Sequence, residues 1–408
     1  MLPNMIRSKL PVSPEAAAVA GINMEPVQKV VKASPFLTKS DLETHLEPFS
    51  SPLIIFTYQR PQYLMQTLED IYKYRDASCL MGCPLIISQD GKDEGVMQVV
   101  EEYQRKFASV GIPLIHLFHN EQSYLRKRNA YELLAVHYGW ALGQVFGDQL
   151  EFQSPDGMRH TLKANRVVIL EEDIHIAVDF FNYFAAMTPI LDHDPDLFAV
   201  SAFNDNGLAG RVSDPKRVLR SDFFPGLGWM MTRKLWKDEL AAKWPTGYWD
   251  DWLREPAQRR GRHVLRPEVS RTFHFGTKGG ASQNQFGGTL SHIKLNNEVV
   301  DWNQHDIVSS IPADRFDRAY WPLLHAARRV ESAVEAEDHI QSGNVRMEYR
   351  NLMEFADLAR KFDLMPDEKA GIPRTAYNGV VETRLDGKHF LFLTPPLQEL
   401  QKSFLGAI

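Results

Sequence analysis

Three consecutive acids at the end of an apolar run are the residues best suited to chemistry in this sequence. Glu171, Glu172 and Asp173 follow the aliphatic residues 167–170, which predict a strand buried on both faces of a parallel sheet. Ligands of such sheets bind beyond the carboxyl ends of the strands, and Mg²⁺ or Mn²⁺ binds carboxylate and phosphate oxygens. The segment therefore predicts a site for a metal and a diphosphate. The alternative is that the acids cap a helix beginning near Val178.

A second acidic group lies between tryptophans at residues 249–252, Trp-Asp-Asp-Trp. A carboxylate beside an indole can be held in a partly dry pocket while the ring stacks on a sugar. Asp250 is therefore the best candidate for a general base that takes a proton from an incoming hydroxyl. The alternative, which can coexist with this role, is that Asp250 caps a helical stretch that continues toward Arg254.

Two further polar residues follow predicted strands. Arg60 comes just after the apolar run 52–58, and Asp90 comes after the run 84–87. Because parallel strands end at the same edge of a sheet, both residues would face the crevice of the acid triplet. Arg60 could contact phosphate and Asp90 could accept hydrogen bonds from a nucleobase. Taken alone, they would be a surface arginine and a turn-forming Asp before Gly91.

Other candidates have weaker signals. The segment 226–228, Gly-Leu-Gly, permits close approach of a ligand to the backbone or forms a bend. His137 and His274 are expected to be satisfied core residues, since neither has a metal-spaced partner. The chain has no GxGxxG after its first strand and no GxxxxGK[ST] loop, which disfavours a dehydrogenase or a P-loop kinase.

The composition is that of an ordinary globular protein. The chain has 408 residues, 44% of them hydrophobic and 24% charged, and a net charge of −6. The absence of a long basic block excludes a typical nucleic-acid partner and favours small molecules or neutral polymers. Its two cysteines, Cys79 and Cys83, cannot build a disulfide scaffold or a zinc site, and they are either bridged to each other or reduced.

The order of apolar segments predicts the fold. Strand and helix alternate repeatedly up to Asp173, which is typical of a doubly wound α/β sheet. No stretch approaches the ~20 apolar residues of a membrane helix, and no signal-like apolar core begins the chain, so we expect no membrane segment. We predict a partly disordered stem at 1–49, a catalytic domain at 50–300 with a mobile lid loop at 276–289, and a small domain at 301–408, partly helical with a hairpin around Asp386.

Six segments taken together resemble one family. They are ILEED (169–173), AVDFF (177–181), SAFNDNG (201–207), DFFPGLGW (222–229), WDDW (249–252) and RPEVSRT (266–272). They are similar to the α-1,3-mannosyl-glycoprotein 2-β-N-acetylglucosaminyltransferase family, N-acetylglucosaminyltransferase I. The likeness covers most of 52–297 and returns at GIPRTAY (371–377).

The resemblance implies a GT-A nucleotide-sugar fold with a small α+β C-terminal domain. It also implies Mn²⁺, the donor UDP-GlcNAc, a mannosyl glycan or glycoprotein as acceptor, and an enzyme of the Golgi lumen. Because no anchor or signal is visible in the sequence, a soluble cytoplasmic enzyme is the alternative. GlcNAc would be placed, with inversion, on the 2-hydroxyl of a mannose of an N-glycan. The alternatives are an O-linked mannose or another glycan as acceptor, or a carbohydrate-binding relative without catalysis. The middle acid of the family's triplet is usually Asp, whereas here it is Glu172.

The resemblance also implies a role for individual residues. Asp173 would be the metal ligand and Asp250 the general base. Glu172 would lie near the ribose and Glu171 near the sugar. The positions implied for the rest of the donor site are Arg60, Asp90 and His137 at the nucleotide, Leu227, Trp249 and Arg254 at the GlcNAc end, and Gly279 to Ser282 in the loop that orders over the donor.

Overall fold

The computed structural model describes residues 51–75, 84–120, 129–278, 287–302 and 304–400. The predicted stem, both cysteines and most of the predicted lid loop lie outside these ranges. The first described segments alternate strand and helix: β1 (Leu53–Thr57), α1 (Pro61–Tyr74), β2 (Leu85–Asp90), α2 (Glu94–Ala108), β3 (Leu114–His119) and α3 (Ala130–Val145). None of the described helices is long and apolar enough to cross a membrane.

The middle of the chain completes the large sheet. Its elements are β4 (Glu151–Gln153), β5 (Arg159–Thr161), β6 (Arg166–Glu171), β7 (Ile174–Ile176), α4 (Phe180–His193), β8 (Leu197–Ser201), β9 (Val218–Ser221), β10 (Trp229–Thr232), α5 (Arg233–Leu235), α6 (Trp249–Arg254), α7 (Pro256–Arg259), β11 (His263–Pro267) and β12 (Thr272–His274). After α5 the chain continues through a π-helical turn, Trp236–Leu240, and a 3₁₀ turn, Ala241–Lys243.

The large sheet has eight strands in the order β3-β2-β1-β6-β10-β8-β11-β9. Strand β1 is parallel to β2 and β6, whereas β10 is antiparallel to both of its neighbours, β6 and β8. Alternate residues of β1 enter two cores, because successive side chains of a strand point to opposite faces. Leu53 and Ile55 pack into one core, and Ile54 and Phe56 pack into the other. The sheet is therefore covered on both faces, and the predicted doubly wound α/β arrangement is confirmed.

The acid triplet does not cap a helix. Strand β7 lies between it and α4, and pairs antiparallel with β12. Helix α4 begins at Phe180, two residues after the predicted Val178, and its N-cap residue is Asp179. The Asp179 side chain makes no capping hydrogen bond and instead pairs with Arg271, with Arg271 Nη2 at 3.0 Å from Asp179 Oδ2. The helix-cap alternative for the triplet is therefore wrong.

The C-terminal part has its own sheet and its own apolar core. The elements after β12 are α8 (Gly287–Leu290), α9 (His305–Ser309), α10 (Ala313–Ala326), β13 (Arg328–Arg329), α11 (Ala333–Ile340), β14 (Val345–Glu348), α12 (Leu352–Lys361), β15 (Glu368–Lys369), β16 (Ile372–Pro373), β17 (Val381–Arg384) and β18 (Phe390–Thr394). The separate apolar core is built from α11, β14, α12, β17 and β18, whereas α9 packs into a core of the large sheet. Strands β17 and β18 form an antiparallel pair, as predicted for the hairpin around Asp386. A domain division near residue 300 remains a proposal.

Buried ion pairs connect the two sheets. The chain just before β9 contributes Arg217, the residue just after β11 is Glu268, and β17 contributes Glu382 and Arg384. The Glu268 carboxylate accepts hydrogen bonds from Arg384 Nε at 2.7 Å and from Arg217 Nη1 at 3.3 Å. Arg217 Nη2 lies 3.0 Å from Glu382 Oε2. We call these four residues the inter-sheet joint.

Candidate active site

A large cleft lies at the carboxyl ends of β1, β2 and β6. Its volume is about 830 Å³. All of the predicted site residues that the structure describes line it. Because β1 is parallel to both β2 and β6 in the sheet, the segments after all three strands emerge at this edge. The juxtaposition predicted for the acid triplet, Arg60 and Asp90 is therefore present in the fold.

The carboxylate of Glu172 is enclosed by neighbouring donors. Its Oε1 accepts a hydrogen bond from Arg60 Nε at 2.6 Å, and its Oε2 accepts one from the Tyr58 backbone N–H at 3.1 Å. The Thr57 hydroxyl also donates to Oε2. Burial raises the pKa of Glu172, although Arg60 and Thr57 oppose this effect. Glu172 thus anchors Arg60 at the rim of the cleft.

Asp173 has one paired and one unpaired carboxylate oxygen. Its Oδ2 lies 2.8 Å from Arg60 Nη1 and 3.3 Å from His274 Nε2. Its Oδ1 is buried and has no hydrogen-bond partner among the described residues. Burial raises the pKa of Asp173, but His274 and Arg60 outweigh burial and bring this pKa below its ordinary value. Asp173 is therefore an ionised carboxylate with an oxygen left for a ligand.

Glu171 differs from Asp173 in its protonation. The Tyr138 hydroxyl donates a hydrogen bond to its Oε1 at 2.9 Å. Burial raises the pKa of Glu171 to about 7, and the nearby charge of Asp173 acts in the same direction. Like-charged acids in one dry site cannot all ionise easily, so the charge of this pair is concentrated on Asp173.

A pair of buried histidines lies beside Asp90, and one of them, His137, lines the cleft. Asp90 Oδ1 lies 3.0 Å from His119 Nδ1, and His119 stacks on His137 with ring centroids 5.5 Å apart. His137 Nε2 lies 2.8 Å from the Ser88 hydroxyl. Burial lowers the pKa of His137 to about 3, so that His137 is neutral. Asp90 and His137 therefore give this wall of the cleft a carboxylate and a neutral ring, which suit a nucleobase.

The segment 226–228 has a left-handed backbone throughout, with φ of 73° at Gly226, 47° at Leu227 and 96° at Gly228. A side chain at Gly228 would meet the Thr272 methyl at 2.6 Å, so the position requires glycine. Leu227 is not a glycine and holds a strained conformation, while its carbonyl accepts a hydrogen bond from the Thr272 hydroxyl at 2.6 Å. This hydrogen bond helps to hold the strained segment at the cleft, which Gly226 and Leu227 line.

Helix α6 places Asp250 at the cleft beside Arg254. Arg254 Nη1 lies 3.0 Å from Asp250 Oδ2 and 2.8 Å from Asp251 Oδ1, and Arg254 Nε donates to the Phe224 carbonyl at 3.0 Å. The Asp250 side chain is 35% exposed. The N-cap position of α6 belongs to Tyr248, so Asp250 is not the cap. Its carboxylate is fixed by Arg254 and remains accessible from the cleft.

The aromatic residues around α6 divide into packed and accessible rings. Trp249 is only 7% exposed, since its indole stacks on Tyr138 with centroids 4.4 Å apart and lies against Trp229. Tyr248 is 49% exposed and stacks on Tyr131 at 4.7 Å. Trp249 therefore supports the cleft wall, and Tyr248 is the aromatic surface that a solvated ligand meets.

Sequence reasoning missed His274 and Tyr138. His274, assigned to the core from sequence, lines the cleft beside Asp173. The pairing of β12 with β7 brings it there, and the only sequence signal was a histidine in a short strand-like segment. Tyr138 faces Glu171 from α3, one residue after His137, a position that the predicted helix left unassigned.

The predicted lid loop is only partly described. Gly279 and Ser282 lie outside the described residues. The first residues of the loop contact the cleft rim: Arg60 Nη1 donates to the Lys278 carbonyl at 3.2 Å, and the Thr277 backbone N–H donates to the Tyr63 hydroxyl at 3.3 Å. The start of the loop is thus joined to the arginine that holds the acid triplet.

Comparison with known proteins gives the family. The model of the GNT-I family matches residues 21–403. The α-1,3-mannosyl-glycoprotein 2-β-N-acetylglucosaminyltransferase of Arabidopsis thaliana is 36% identical over 356 residues, which cover 86% of this chain and 74% of that protein.

Solved structures give more distant likenesses. TarS of S. aureus, residues 1–349, is 12% identical with a TM-score of 0.37, and the match covers 76% of this chain and 80% of that one. The mannosyltransferase PcManGT of Pyrobaculum calidifontis, solved with GDP-Man and Mn²⁺, is 15% identical with a TM-score of 0.34 and matches 78% of this chain and 80% of that one. These likenesses are too distant to say anything about a substrate.

The fold and the cleft agree with the extent of the family match. The sheet is α/β with helices on both faces, as expected for the GT-A type, and the cleft lies where its parallel strands end. The chain belongs to the GNT-I family and is a glycosyltransferase.

Proposed function

We propose that this enzyme transfers N-acetylglucosamine from UDP-GlcNAc to the 2-hydroxyl of an α-linked mannose of an N-glycan, with inversion and a β-1,2 linkage. The observation that carries the proposal is that one cleft contains both Asp173, with an unpaired carboxylate oxygen, and the accessible Asp250. The choice of donor and acceptor rests on family membership. The corresponding compartment is the Golgi lumen, which co-localisation with a Golgi marker would test.

The donor would lie along the sheet edge between these two acids. Asp90 and the neutral His137 face the nucleobase end, and Arg60 lies near the diphosphate. The remaining proposed donor contacts are Glu172 at the ribose, Glu171, Leu227, Trp249 and Arg254 at the sugar, and Gly279 and Ser282 over the bound donor.

Asp173 has the chemistry to hold Mn²⁺. Its buried Oδ1 has no partner among the described residues, and a side chain at Gly276 would lie 2.1 Å from Oδ2. Carboxylate oxygen suits a hard cation, and His274 would orient the carboxylate through Oδ2. Within the described ranges no cluster of three or more His, Cys, Asp and Glu could hold a metal, which fits one protein ligand supplemented by substrate oxygens. When bound, the cation would offset negative charge on the diphosphate.

The reaction would be a direct displacement. Arg254 holds Oδ2 of Asp250, so we assign Oδ1 to take the proton from the mannose 2-hydroxyl. The hydroxyl oxygen forms a bond to the anomeric carbon as the bond from that carbon to the phosphate oxygen breaks, and the electron pair leaves with UDP. Arg60 stabilises the charge that develops on the leaving group.

The proposed function is tested with the unmodified enzyme. We expect UDP release from UDP-GlcNAc with Mn²⁺ and an α-mannoside, and a β-1,2-linked disaccharide by NMR. Preference for an O-mannosyl peptide or another glycan would overturn the acceptor assignment. No UDP release with any mannosyl acceptor, despite UDP-GlcNAc binding, would identify a carbohydrate-binding relative without catalysis.

Asp250→Asn tests the assignment of the base. We expect transfer to fall about 10³-fold, since a positioned base contributes roughly 10² to 10⁴, while UDP-GlcNAc binding measured by calorimetry stays nearly unchanged. Asp251→Asn is the matched control, because Asp251 is the adjacent acid on α6 and also pairs with Arg254. Full activity of Asp250→Asn would refute its role as the base.

A further inference from the structure

A buried acid on the C-terminal side of the cleft lacks a partner for one of its oxygens. Asp205 is 2% exposed and lines the cleft. Its Oδ1 accepts a hydrogen bond from Arg374 Nη1 at 2.6 Å. Its Oδ2 is buried and has no hydrogen-bond partner among the described residues. Buried polar atoms are nearly always paired, so an unpaired carboxylate oxygen at a cleft wall indicates a place for the hydroxyl of a ligand.

The turn that carries Asp205 is fixed on both sides. The Asn204 side-chain amide donates to the Glu268 carbonyl at 2.7 Å. The Asn206 side-chain amide donates to the Thr375 hydroxyl at 3.0 Å, and Asn206 Oδ1 accepts from the Met365 backbone N–H at 2.9 Å. The Asp205 backbone therefore cannot move readily to relieve its unpaired oxygen. The site is preformed, which limits the ordering cost of binding.

Arg374 connects this acid to the side of the cleft that carries the base. Burial lowers the pKa of Arg374, but the carboxylates of Asp205, Asp367 and Asp250 outweigh burial and raise it. The guanidinium thus lies within range of the charge of Asp250. Met365 also lines the cleft here and adds an apolar surface. The acid triplet and Arg60 lie instead at the ends of β1 and β6, where the donor diphosphate is proposed.

We propose that Asp205 and Arg374 form the acceptor subsite for a neutral pyranoside. Asp205 Oδ2 accepts a hydrogen bond from a ring hydroxyl other than the one that reacts, and the guanidinium, which has five N–H groups, donates to a second oxygen of the same sugar. Met365 packs against the apolar face of the ring. The inference rests on the proposed function, because it takes the α-mannoside to be the acceptor.

Asp205→Asn tests the subsite directly. The amide keeps a carbonyl oxygen for Arg374 but replaces the unpaired acceptor with an N–H donor. We expect the KM for an α-mannoside to rise about 10- to 100-fold, the range for a lost hydrogen bond to a charged group. UDP affinity with Mn²⁺ and slow hydrolysis of UDP-GlcNAc without acceptor should not change. Arg374→Lys keeps the charge but loses the planar donors, and it should raise the same KM.

Asp194→Asn is the matched control. Asp194 is a buried acid outside the cleft that also pairs with an arginine, Arg220, and accepts a backbone hydrogen bond. Its substitution should lower the unfolding temperature about as much as Asp205→Asn without changing the KM for the mannoside. Equal acceptor effects in both variants would mean that Asp205 has only a structural role.

Deoxy acceptors test the proposal without relying on a variant that must fold. One of the 3-, 4- or 6-deoxy mannosides should be about 10- to 100-fold poorer with the unmodified enzyme, and Asp205→Asn should lose that discrimination. Equal use of all three would overturn the subsite. Failure of the unmodified enzyme to use any mannoside would overturn the proposed function and the mannose assignment together. Normal transfer with an unchanged KM in Asp205→Asn would overturn only the subsite.

Discussion

Glu268 of the inter-sheet joint and Glu171 of the cleft are both buried acids, but their surroundings shift their pKa values in opposite directions. In the joint, Glu268 Oε1 accepts hydrogen bonds from Arg384 and from the backbone N–H groups of Ser213 and Asp214, and Oε2 accepts bonds from two arginines. Burial raises the pKa of Glu268, but these partners outweigh burial and lower it to about 2. In the cleft, Glu171 has a pKa raised to about 7.

Asp173 and Asp205 extend this contrast, because each has a buried oxygen with no hydrogen-bond partner in the described part of the chain. Both oxygens of Glu268 and of Glu382 in the joint accept hydrogen bonds, whereas Asp173 and Asp205 in the cleft each keep one oxygen that no described residue satisfies. A satisfied buried acid serves stability, because its charge is already compensated. An acid with an unpaired oxygen serves binding, because a ligand can form the contact to that oxygen that the protein does not make. Substitutions in the joint should therefore reduce stability, whereas substitutions in the cleft should reduce ligand binding.

The largest effect should come from the joint. Glu268→Gln leaves Arg217 and Arg384 without their shared countercharge, and breaking a buried pair costs about 3 to 5 kcal/mol. Urea unfolding should report this loss, while transfer per folded molecule at low temperature should remain. The control is Asp363→Asn, which removes an exposed partner of Arg211 and should cost about 0 to 1 kcal/mol. If Glu268→Gln were fully folded but inactive, the assignment of the joint to stability alone would be contradicted.

The next largest effect should be on binding. Asp173→Ala should weaken Mn²⁺ binding in the presence of UDP by about 100-fold, since residues that only orient a ligand already contribute about 10- to 100-fold. Its stability loss should be smaller than that of Glu268→Gln, because Glu172 still pairs with Arg60. Asp70→Asn is the control, since Asp70 forms a similar pair with His175 outside the cleft. Unchanged Mn²⁺ affinity by calorimetry would refute the metal role.

The smallest effect should appear in the pH dependence of stability. The unfolded chain protonates His137 near its ordinary pKa of 6.5, whereas burial delays protonation in the folded state to about pH 3. Stability from this group is therefore lost as the pH falls from about 6.5 toward 3. At pH 5 the loss is about 2 kcal/mol.

His137→Gln should remove this dependence. The quantity to measure is the difference in unfolding free energy between the two proteins from pH 7 to 5. Taking this difference cancels the contribution of Glu171, whose raised pKa changes stability in the opposite direction over this range. Glu268 contributes its own loss below about pH 4.5. A constant difference between the two proteins would contradict the prediction, because it would mean that His137 binds its proton at the same pH in the folded and the unfolded chain.

Local patterns were enough to predict one side of the cleft. The apolar run 167–170 predicted β6, and its end predicted where Asp173 emerges. The same reasoning placed Arg60 and Asp90 at that edge, since parallel strands end together. The antiparallel insertion of β10 between β6 and β8 was not predicted, because a short apolar strand carries no signal of direction.

The other side of the cleft depends on contacts between distant segments. His274 meets Asp173 only because β12 pairs with β7, and Asp205 meets Arg374 across 169 residues. Asp205 and Arg374 each lie in a recognisable motif, but the sequence does not say that these two motifs pack against each other. Burial, which raises the pKa of Glu171, is likewise a property of the assembled fold.

The pairing of Asp205 with Arg374 also bears on how the protein is made. A ribosome releases Asp205 long before Arg374, and Glu268 long before Arg384. Until the segment 374–384 emerges, a growing chain that formed the large sheet would leave Asp205 without Arg374, and Glu268 with Arg217 but without Arg384. We therefore expect the cleft and the joint to be completed together, only after the segment that carries Arg374 and Arg384 has emerged.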